Sequence, residues 1–464
     1  MPRRGGRGPP PGAGRPARGR ARDGAASAPA PAHLRARLAD GDPPPSAARE
    51  PALRPPRLPR LPGAAEPGVR HRALPGDAGA RPGARTTHGT GAPQNPRARG
   101  DDPRDALPPQ LVGRDDEWAH LEEAWAAGRP IYVLGEAGIG KTRLVSEFCS
   151  AQGSWLLVAA RPADPSTPYA TSARVSRAVL GLEPERTLEP WVRQEIARLV
   201  PELEPSAPPL PSSPEEKARL AEALARLIRT RCGKMSALVL DNTHRADAAS
   251  LELHLRVQDL LLEPGPEGET LRMLTCFRTG ELSPAFEERL REHREAGLAA
   301  WLSLEPLTLA SVGELIDTIG VPELKSIVPQ MAKYTGCNPF FIIETARSLL
   351  AAGFDGRFPA APPTSDRVTL IVEQRLKRLS PDALRLARTV ALAGADFSLE
   401  LATCVLGLNL DQLAAPWKEL EEAKVLRGAT FTQGVLRRIV IETLPQPVRE
   451  AVLRRISACL QQRR

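Results

Sequence analysis

The amino-acid sequence predicts an α/β fold, a parallel β-sheet covered by helices on both faces, followed by a mostly helical C-terminal part. Three observations predict it. Short apolar runs rich in β-branched residues alternate with segments of helical periodicity between residues 109 and 305. A glycine-rich segment separates one of these runs from the next helix. From about residue 306 the apolar spacing is helical nearly throughout. Strands that alternate with helices form parallel sheets with both faces buried.

The first 108 residues differ in composition from the rest. They hold 22 prolines and 20 arginines but no lysine, isoleucine, phenylalanine, tyrosine, tryptophan or cysteine. Such a segment cannot bury enough apolar surface to offset the entropy lost on ordering its backbone. Residues 1–108 are therefore predicted to be a disordered Pro/Arg-rich arm that nucleotide binding does not need. Arginine without lysine is also typical of GC-rich DNA translated in an unselected frame, so a gene-model artefact stays an open alternative.

The net positive charge of the chain comes from this arm. Its 20 arginines oppose 9 acidic residues, so the arm carries +11. The whole chain carries +8, which leaves −3 for residues 109–464. An arginine-rich arm can hold a phosphate-rich partner such as nucleic acid, but the folded part gives no such indication.

Cysteine usage and hydropathy indicate the compartment. The six cysteines are widely spaced and include no C-x-x-C pair, which argues against a zinc site and against a disulfide framework. That usage is typical of a reducing cytoplasm. No apolar run approaches the ~18 residues of a membrane span, and the N-terminus lacks the apolar core of a signal peptide. We expect a soluble cytoplasmic protein with no membrane partner.

The predicted elements follow in order along the chain. A helix over 111–125 precedes the strand IYVL, and helical spacing resumes at TRLVSEF. A Pro/Ser loop at 204–214 leads into a long helix. Glycine in VLRGATFTQG (425–434) indicates a short hairpin near the end. The later strands of the sheet are predicted at SWLLVAA (154–160), ALVLDN (237–242) and LRMLTCFR (271–278).

The segment GEAGIGKT fits the pattern G-x-x-x-x-G-K-[ST], with Gly135, Gly140, Lys141 and Thr142 at its fixed positions. Glycines let successive N–H groups curve around phosphates, where a Cβ would obstruct them. The lysine reaches the β- and γ-phosphates, and the threonine hydroxyl ligates Mg²⁺. A strand before and a helix after disfavour the alternative of a merely structural turn. The motif predicts binding of a nucleoside triphosphate, above all ATP with magnesium.

A P-loop also needs a carboxylate that holds the magnesium through water. The run ALVLDN delivers Asp241 at the C-terminal end of a strand, where α/β sheets place ligands. The alternative for Asp241 is a helix cap. In many P-loop ATPases a second acid follows and orients the attacking water. Here that position is Asn242, a poor proton acceptor, so slow hydrolysis is predicted.

A third candidate follows the strand LRMLTCFR. Arg278 stands at its tip, where a guanidinium can sense the γ-phosphate, although a solvated arginine is the alternative. His244 is expected to pack or cap behind the sheet edge. The predicted catalytic residues are therefore Lys141, Asp241 and Arg278, and the predicted metal ligands are Thr142 and Asp241.

Together these motifs resemble the STAND class of signal-transducing P-loop ATPases. The resemblance runs from about residue 109 to 463. It is greatest to the ATPase and winged-helix module of bacterial AfsR/SARP (BTAD)-type transcriptional regulators, an origin-recognition-like AAA+ module. LVGRDDE resembles the family's opening box, and GEAGIGKTRL resembles its Walker A segment. LVLDNTHRADAASLEL is similar to LVLDDLHWADAASLEL, LTCFR to the T-x-R strand, GCNPFFIIE to the GNPFF box, and FTQGVLRRIVIETLP to FRHALVREAVYESLP.

The resemblance implies further nucleotide contacts. Pro339 would pack on the adenine, and Gln433 stands where the family has a nucleotide-sensing histidine. Residues bordering the adenine and ribose would be Val112, Gly113 and Arg114. The matched Walker A segment adds Glu136, Gly138, Ile139 and Arg143 to Lys141 and Thr142. The implied domains are an ATPase domain at 109–305, a helical lid at 306–364 and a winged-helix domain at 365–464.

The resemblance implies a switch module controlled by ATP and ADP. Its expected partners are a separately encoded effector or sensor domain and, under nucleotide control, other copies of the chain. Two rival functions stay open: a scaffold that binds ATP without hydrolysing it, and a direct DNA-binding protein. The second ranks last because the expected recognition helix, residues 411–424, has four acidic side chains against two lysines.

Overall fold

The computed structural model describes residues 69–70, 110–262 and 271–462. Within the arm predicted to be disordered, Val69–Arg70 forms a two-residue strand, β1. It pairs antiparallel with the strand Trp155–Ala159. A cross-strand pair of this kind has no local sequence signal. The rest of the arm lies outside the described residues.

A parallel sheet forms the centre of the first part of the chain. The predicted strands are confirmed, and the structure adds one that the sequence analysis missed, Ala300–Leu304. Its alternating burial, with Ser303 exposed, makes a weaker apolar pattern than the fully buried strand Ala237–Asp241. The five parallel strands are β2 Ile131–Gly135, β3 Trp155–Ala159, β4 Ala237–Asp241, β5 Arg272–Cys276 and β6 Ala300–Leu304.

The order of strands across the sheet is β1-β3-β4-β5-β2-β6. Strand β2 lies between β5 and β6, with Ile131 opposite both Leu274 and Ala300. Strand β4 lies on the other side of β5. Since parallel strands end at one edge, the segments that follow β2, β4 and β5 are brought together there. This is the P-loop NTPase fold, in agreement with the predicted class.

Helices cover both faces of the sheet. Successive strand residues point to opposite faces, so Val133 and Val239 pack in one cluster with Phe148, while Leu238 and Leu240 pack in another. The helices of this part are α1 Asp115–Ala126, α2 Lys141–Gln152, α3 Ala170–Leu180, α4 Pro190–Ala197, α5 Pro214–Cys232, α6 Ala248–Leu262 and α7 Pro284–Glu295. The layers therefore follow the predicted α/β architecture.

The C-terminal part is helical, as predicted, with one hairpin. Strands β7 Leu426–Arg427 and β8 Thr430–Phe431 pair antiparallel, which confirms the hairpin expected at 425–434. The helices are α8 Leu309–Ile319, α9 Val328–Thr335, α10 Pro339–Ala351, α11 Asp366–Leu376, α12 Pro381–Ala393, α13 Leu399–Leu406, α14 Leu410–Glu422, α15 Gly434–Glu442 and α16 Gln446–Gln461.

One expectation about the cysteines is wrong. Cys404 on α13 and Cys459 on α16 form a disulfide, with their Cα atoms 6.1 Å apart. The pair is 55 residues apart in sequence and becomes adjacent only because α16 packs against α13. The other four cysteines are not bonded in pairs. Among the described residues, no helix is long and apolar enough to cross a membrane.

Candidate functional site

The P-loop connects strand β2 to helix α2. Gly138 and Gly140 adopt φ angles of 76° and 106°, which residues with a Cβ rarely adopt. Apart from its own chain neighbours, no heavy atom of the described residues lies within 4 Å of the position that a Cβ on Gly140 would occupy, so the space beside this residue is open. An open concavity lined by backbone at a helix N-terminus fits a phosphate group.

Lys141 is buried at the first position of α2. Its Nζ donates to the carbonyl oxygens of Gly135 and Glu136, both at 2.8 Å. Burial lowers the pKa of Lys141 to about 8, and the charge of Arg278 acts in the same direction, whereas Asp241 opposes it. Nearby phosphate oxygens would favour the charged form. The lysine therefore fits a phosphate ligand, which would replace its bonds to the loop.

An oxygen pair lies beside this lysine. Thr142 Oγ1 donates to Asp241 Oδ2 at 2.8 Å, which joins the start of α2 to the end of β4. Hard oxygen donors of this kind suit Mg²⁺, which usually keeps several waters and takes further ligands from phosphates. The two predicted metal-holding residues are thus adjacent and chemically fit the ion.

Asn242 is a donor to Asp241. Its backbone N donates to Asp241 Oδ1 at 2.8 Å, and its side-chain Nδ2 donates to Oδ2 at 3.2 Å. The residue holds a left-handed conformation, φ 54°, which an Asn tolerates better than most residues. An amide held in this way orients the carboxylate but cannot accept a proton from water.

Arg278 lies beyond the end of β5 in a network of charges. Its Nη1 is 3.4 Å from Glu281 Oε1, and Arg378 from the C-terminal part also pairs with Glu281. His244 Nε2 lies 3.4 Å from the same carboxylate. Burial lowers the pKa of His244 to about 3, so the ring is neutral at pH 7. A neutral ring agrees with the predicted packing role of His244. The charge of Arg278 lowers the pKa of Lys141.

The opening box contacts the P-loop through Arg114. This buried side chain donates to the carbonyl of Ile139 at 3.2 Å and pairs with Glu117 at 2.6 Å. A Cβ on Gly113 would lie 2.2 Å from Ser311 Oγ on α8, so the box also packs tightly on the C-terminal helices. Val112 packs in the same region, against the apolar cluster of α8 to α10.

Arg143 is the predicted contact that the fold does not bring to the loop. It pairs along α2 with Glu147 at 2.7 Å, with about a third of its side chain exposed. The residue follows Thr142 on a helix, so its side chain leaves the P-loop face by roughly 100°. Its assignment as a nucleotide contact receives no support from this geometry.

Helix α10 contacts the P-loop through its first residues. Asn338 is fully buried and donates from Nδ2 to the carbonyl of Ala137 at 3.0 Å. The backbone N of Phe340 donates to the carbonyl of Gly138 at 3.3 Å. Pro339 lies between them at the first position of the helix, which proline tolerates because that N–H has no helical acceptor. Asn338 was missed in the sequence, where only the following proline was assigned.

Glu136 binds the P-loop to three C-terminal segments. Its Oε2 lies 2.9 Å from Arg375 Nη2 and accepts from Gln433 Nε2 at 3.4 Å. Lys424 Nζ is 3.9 Å from Oε1. The predicted residue Gln433 is thus in the site, whereas Arg375 was missed because it is one of many arginines on amphipathic helices. A cavity of about 330 Å³ lies between these elements, lined by Glu136, Arg278, Arg375, Arg378 and Lys424 among others.

Residues 110–261 match the sequence model of the AAA ATPase domain family. This region is therefore similar to AAA ATPase domains. The match contains β2, the P-loop and Asp241, whose geometry is described above. Arg278 and the helices that contact the loop from the C-terminal part follow the matched region. A search of curated proteins found none that matches this chain.

Three solved structures are among those to which this chain is similar. A Walker-type ATPase of Pyrococcus abyssi is 14% identical, over 73% of this chain and 99% of that chain, with TM-score 0.46. The Aeropyrum pernix ORC2 protein, in ADPNP-ADP complexes, is 14% identical over 77% and 96%, with TM-score 0.45. A STAND protein with a tetratricopeptide repeat sensor from Pyrococcus horikoshii is 14% identical over 76% of this chain and 46% of that chain, with TM-score 0.33.

Proposed function

We propose that this protein is an ATP-binding switch module of the STAND type, acting in a transcriptional or signalling regulator. The observation that carries the proposal is the contact of Glu136 with Arg375, Gln433 and Lys424. Glu136 belongs to the loop that would receive the phosphates, and its partners belong to three segments of the C-terminal part. A change of ligand at the loop therefore acts directly on these segments.

The nucleotide would take the positions that the site chemistry favours. Backbone N–H groups of residues 136–141 and the Lys141 ammonium would hold the phosphates. Thr142 would ligate Mg²⁺, with Asp241 holding it through water. Arg278 would contact the γ-phosphate, and residues 112–114 with Pro339 would border the adenine.

The switch follows from competition for the same cations. A triphosphate adds negative charge beside Glu136, and Arg375 and Lys424 can then pair with phosphate oxygens in place of the carboxylate. ADP lacks the γ-phosphate and competes less. A ligand shifts an equilibrium only by its difference in affinity for the two states, and this exchange of partners supplies such a difference.

Hydrolysis would be slow in this protein. Asn242 donates to Asp241 and cannot accept the proton of the attacking water. A second candidate function, an ATP-stabilised scaffold that never hydrolyses its ligand, is favoured by the same observation. The two functions differ in whether ATP and ADP produce different conformations.

The proposal includes a protein partner and a cytoplasmic location. Helices α12 to α14 followed by the β7–β8 hairpin are the order of elements in a winged helix, and we assign residues 365–464 to that domain. Direct DNA binding is not proposed, because α14 presents Asp411 and Glu421 with few basic residues. Glu419 on the same helix accepts hydrogen bonds from Ser380, so this side of α14 is used for packing within the domain. A partner protein would therefore receive the signal.

Thermal melting with and without MgATP tests nucleotide binding. At a hundred times the dissociation constant, ATP should add about 2.7 kcal/mol to the free energy of unfolding. Lys141→Ala should lose most of this gain, since it removes the buried cation of the P-loop. Lys377→Ala is the matched control, because Lys377 is exposed at the C-terminal cap of α11, where its ion pair among the described residues is with Glu373. Equal nucleotide shifts in both variants would contradict the assignment.

Hydrogen exchange of the full chain separates a switch from a scaffold. With ATP and with ADP, amides of α11 and α15 should exchange at different rates, because Arg375 and Gln433 change partners. Helix α5, which does not contact the P-loop, is the internal control. Identical protection of α11 in both nucleotides would favour the scaffold and contradict the switch.

A further inference from the structure

A second cavity, of about 480 Å³, lies away from the P-loop. It is formed by the segment between α3 and α4, the start of α4, and the end of α5 with the two residues that follow it. Lys234 in its lining precedes β4, whereas Asp241 ends β4. The cavity and the nucleotide site therefore lie at opposite edges of the sheet.

Basic side chains dominate this cavity. Its lining holds five of them, Arg186, Arg226, Arg229, Arg231 and Lys234, against the carboxylates of Glu183 and Glu189. Both carboxylates are already paired, Glu183 with Arg186 at 3.1 Å and Glu189 with Arg226 at 2.7 Å. Beyond these pairs, Arg231 and Lys234 give the lining further positive charge.

Arg231 is the buried member of this set, with 5% of its surface exposed. Its Nη2 donates to the carbonyl of Arg186, but its Nε and Nη1 have no hydrogen-bond partner among the described residues. Burial lowers the pKa of Arg231, yet a guanidinium stays charged at neutral pH. A buried charge with two unmade hydrogen bonds is unfavourable. Both nitrogens are closed off from solvent, so the guanidinium must turn toward the cavity before an oxyanion there can remove this deficit.

We propose that this cavity is a binding site for a small organic anion whose phosphate or carboxylate group is anchored by Arg231. Two oxygens of such a group match the fork of a guanidinium. The volume lies within the range of small-molecule sites, roughly 300–1,000 Å³. Leu188, Val192 and Leu227 in the lining provide apolar contact for the rest of the ligand. Binding here is independent of the P-loop and does not require the proposed switch.

Calorimetric titration of the full chain tests the site, with pyrophosphate and citrate as probes. The Lys141→Ala background is used so that pyrophosphate bound at the P-loop does not contribute. At least one probe should bind with a dissociation constant below about 1 mM. Adding Arg231→Gln should weaken this binding at least tenfold, and Lys234→Gln, an exposed loop residue, several-fold. The matched control is Arg289→Gln, an exposed arginine on α7, which should change nothing.

Thermal melting without ligand shows whether each variant is folded. Arg231→Gln should melt at or above the temperature of its parent, because it removes a buried charge that lacks two acceptors. If Arg231→Gln fails to fold, Lys234→Gln still decides the question by its effect on binding. No binding of either anion would overturn the proposal, and so would equal affinities in the Lys234→Gln and Arg289→Gln variants. If pyrophosphate alone binds, the anchor group is a phosphate, and if citrate alone binds, it is a carboxylate.

Discussion

The two edges of the sheet each hold a buried cation, but the two cations differ in their partners. Lys141 at the P-loop edge donates to two carbonyl oxygens of its own loop. Arg231 at the opposite edge has one backbone acceptor and two nitrogens without any among the described residues. A ligand at the first edge would replace bonds that already exist, whereas an anion at the second would add bonds once the guanidinium turns toward it. The loop edge is therefore suited to a ligand that exchanges and switches the protein, and the opposite edge to a ligand that stays bound.

The largest expected effect concerns chemistry at the loop edge. Asn242→Asp should raise ATP turnover by about 10²–10⁴-fold, the usual worth of general-base assistance, because a carboxylate can accept the proton of water. The wild type should turn over well below the ~1–100 s⁻¹ of kinases. Steady-state phosphate release measures both, and ATP affinity should stay within a few-fold.

Asn242→Ala is the control for this substitution, since it removes the amide without adding a base and should not accelerate turnover. If the wild type already releases several phosphates per second, or the aspartate changes nothing, our interpretation of position 242 is wrong. The loop edge would then carry catalysis that does not depend on a second acid.

The next effect is the contribution of Lys141 to the pH dependence of stability. The pKa of Lys141 is lowered to about 8. Between this value and its ordinary 10.5, Lys141 is protonated in the unfolded chain and neutral in the folded chain, so its own contribution to stability rises with pH. The gain between pH 8 and 10.5 should reach about 3 kcal/mol at most. Urea unfolding of the wild type and of Lys141→Met at several pH values measures the difference.

Saturating MgATP should abolish this rise, because phosphate oxygens restore the charged form of the lysine. Lys377→Met, at an exposed position, should keep the wild-type dependence and serves as the control. Arg231 should contribute no comparable rise, since a guanidinium does not titrate in this range. Parallel pH curves for wild type and Lys141→Met would show that the lysine is not perturbed.

A smaller effect concerns the packing of the P-loop against α10. A Cβ on Gly138 would lie 2.6 Å from Phe340 Cβ, whereas a Cβ on Gly320 would meet nothing within 4 Å. Both glycines have nearly the same φ, 76° and 77°. Each alanine variant should therefore lose about 1–2 kcal/mol to backbone strain. Gly138→Ala should lose about 1–3 kcal/mol more by overpacking.

Chemical denaturation of the two alanine variants gives the comparison directly. Equal losses of unfolding free energy would mean that α10 moves away from the loop at little cost. That result would also weaken the tight junction between the nucleotide loop and the C-terminal part on which the switch depends.

The smallest effect is expected at the ion pair of the loop. Arg375→Gln should lower the free energy of unfolding by about 1 kcal/mol, because Glu136 keeps Lys424 and Gln433 as partners. Arg385→Gln, which breaks an exposed pair with Asp382, should cost close to nothing. Indistinguishable melting curves for the two variants would show that Arg375 does not hold the loop.

Part of this site could be predicted from the sequence because its signals are local. The P-loop is eight consecutive residues, and Asp241 ends a short apolar run whose length and composition predict a buried strand. The contacts of the C-terminal part could not be found in this way. Arg375 is 239 residues from Glu136, and Asn338 is 201 residues from Ala137. Nothing in the local sequence indicates which of the 63 basic residues of the chain pairs with Glu136.

The sequence by itself determined the parallel sheet, the phosphate loop and the chemical character of position 242. These follow from periodicity, backbone freedom and side-chain chemistry, which act within a few residues. Only the tertiary structure decided that Glu136 is held by the C-terminal part, that Cys404 meets Cys459, and that Arg231 is buried without two of its acceptors. Burial and pairing depend on which distant elements pack together, and no local pattern encodes that choice.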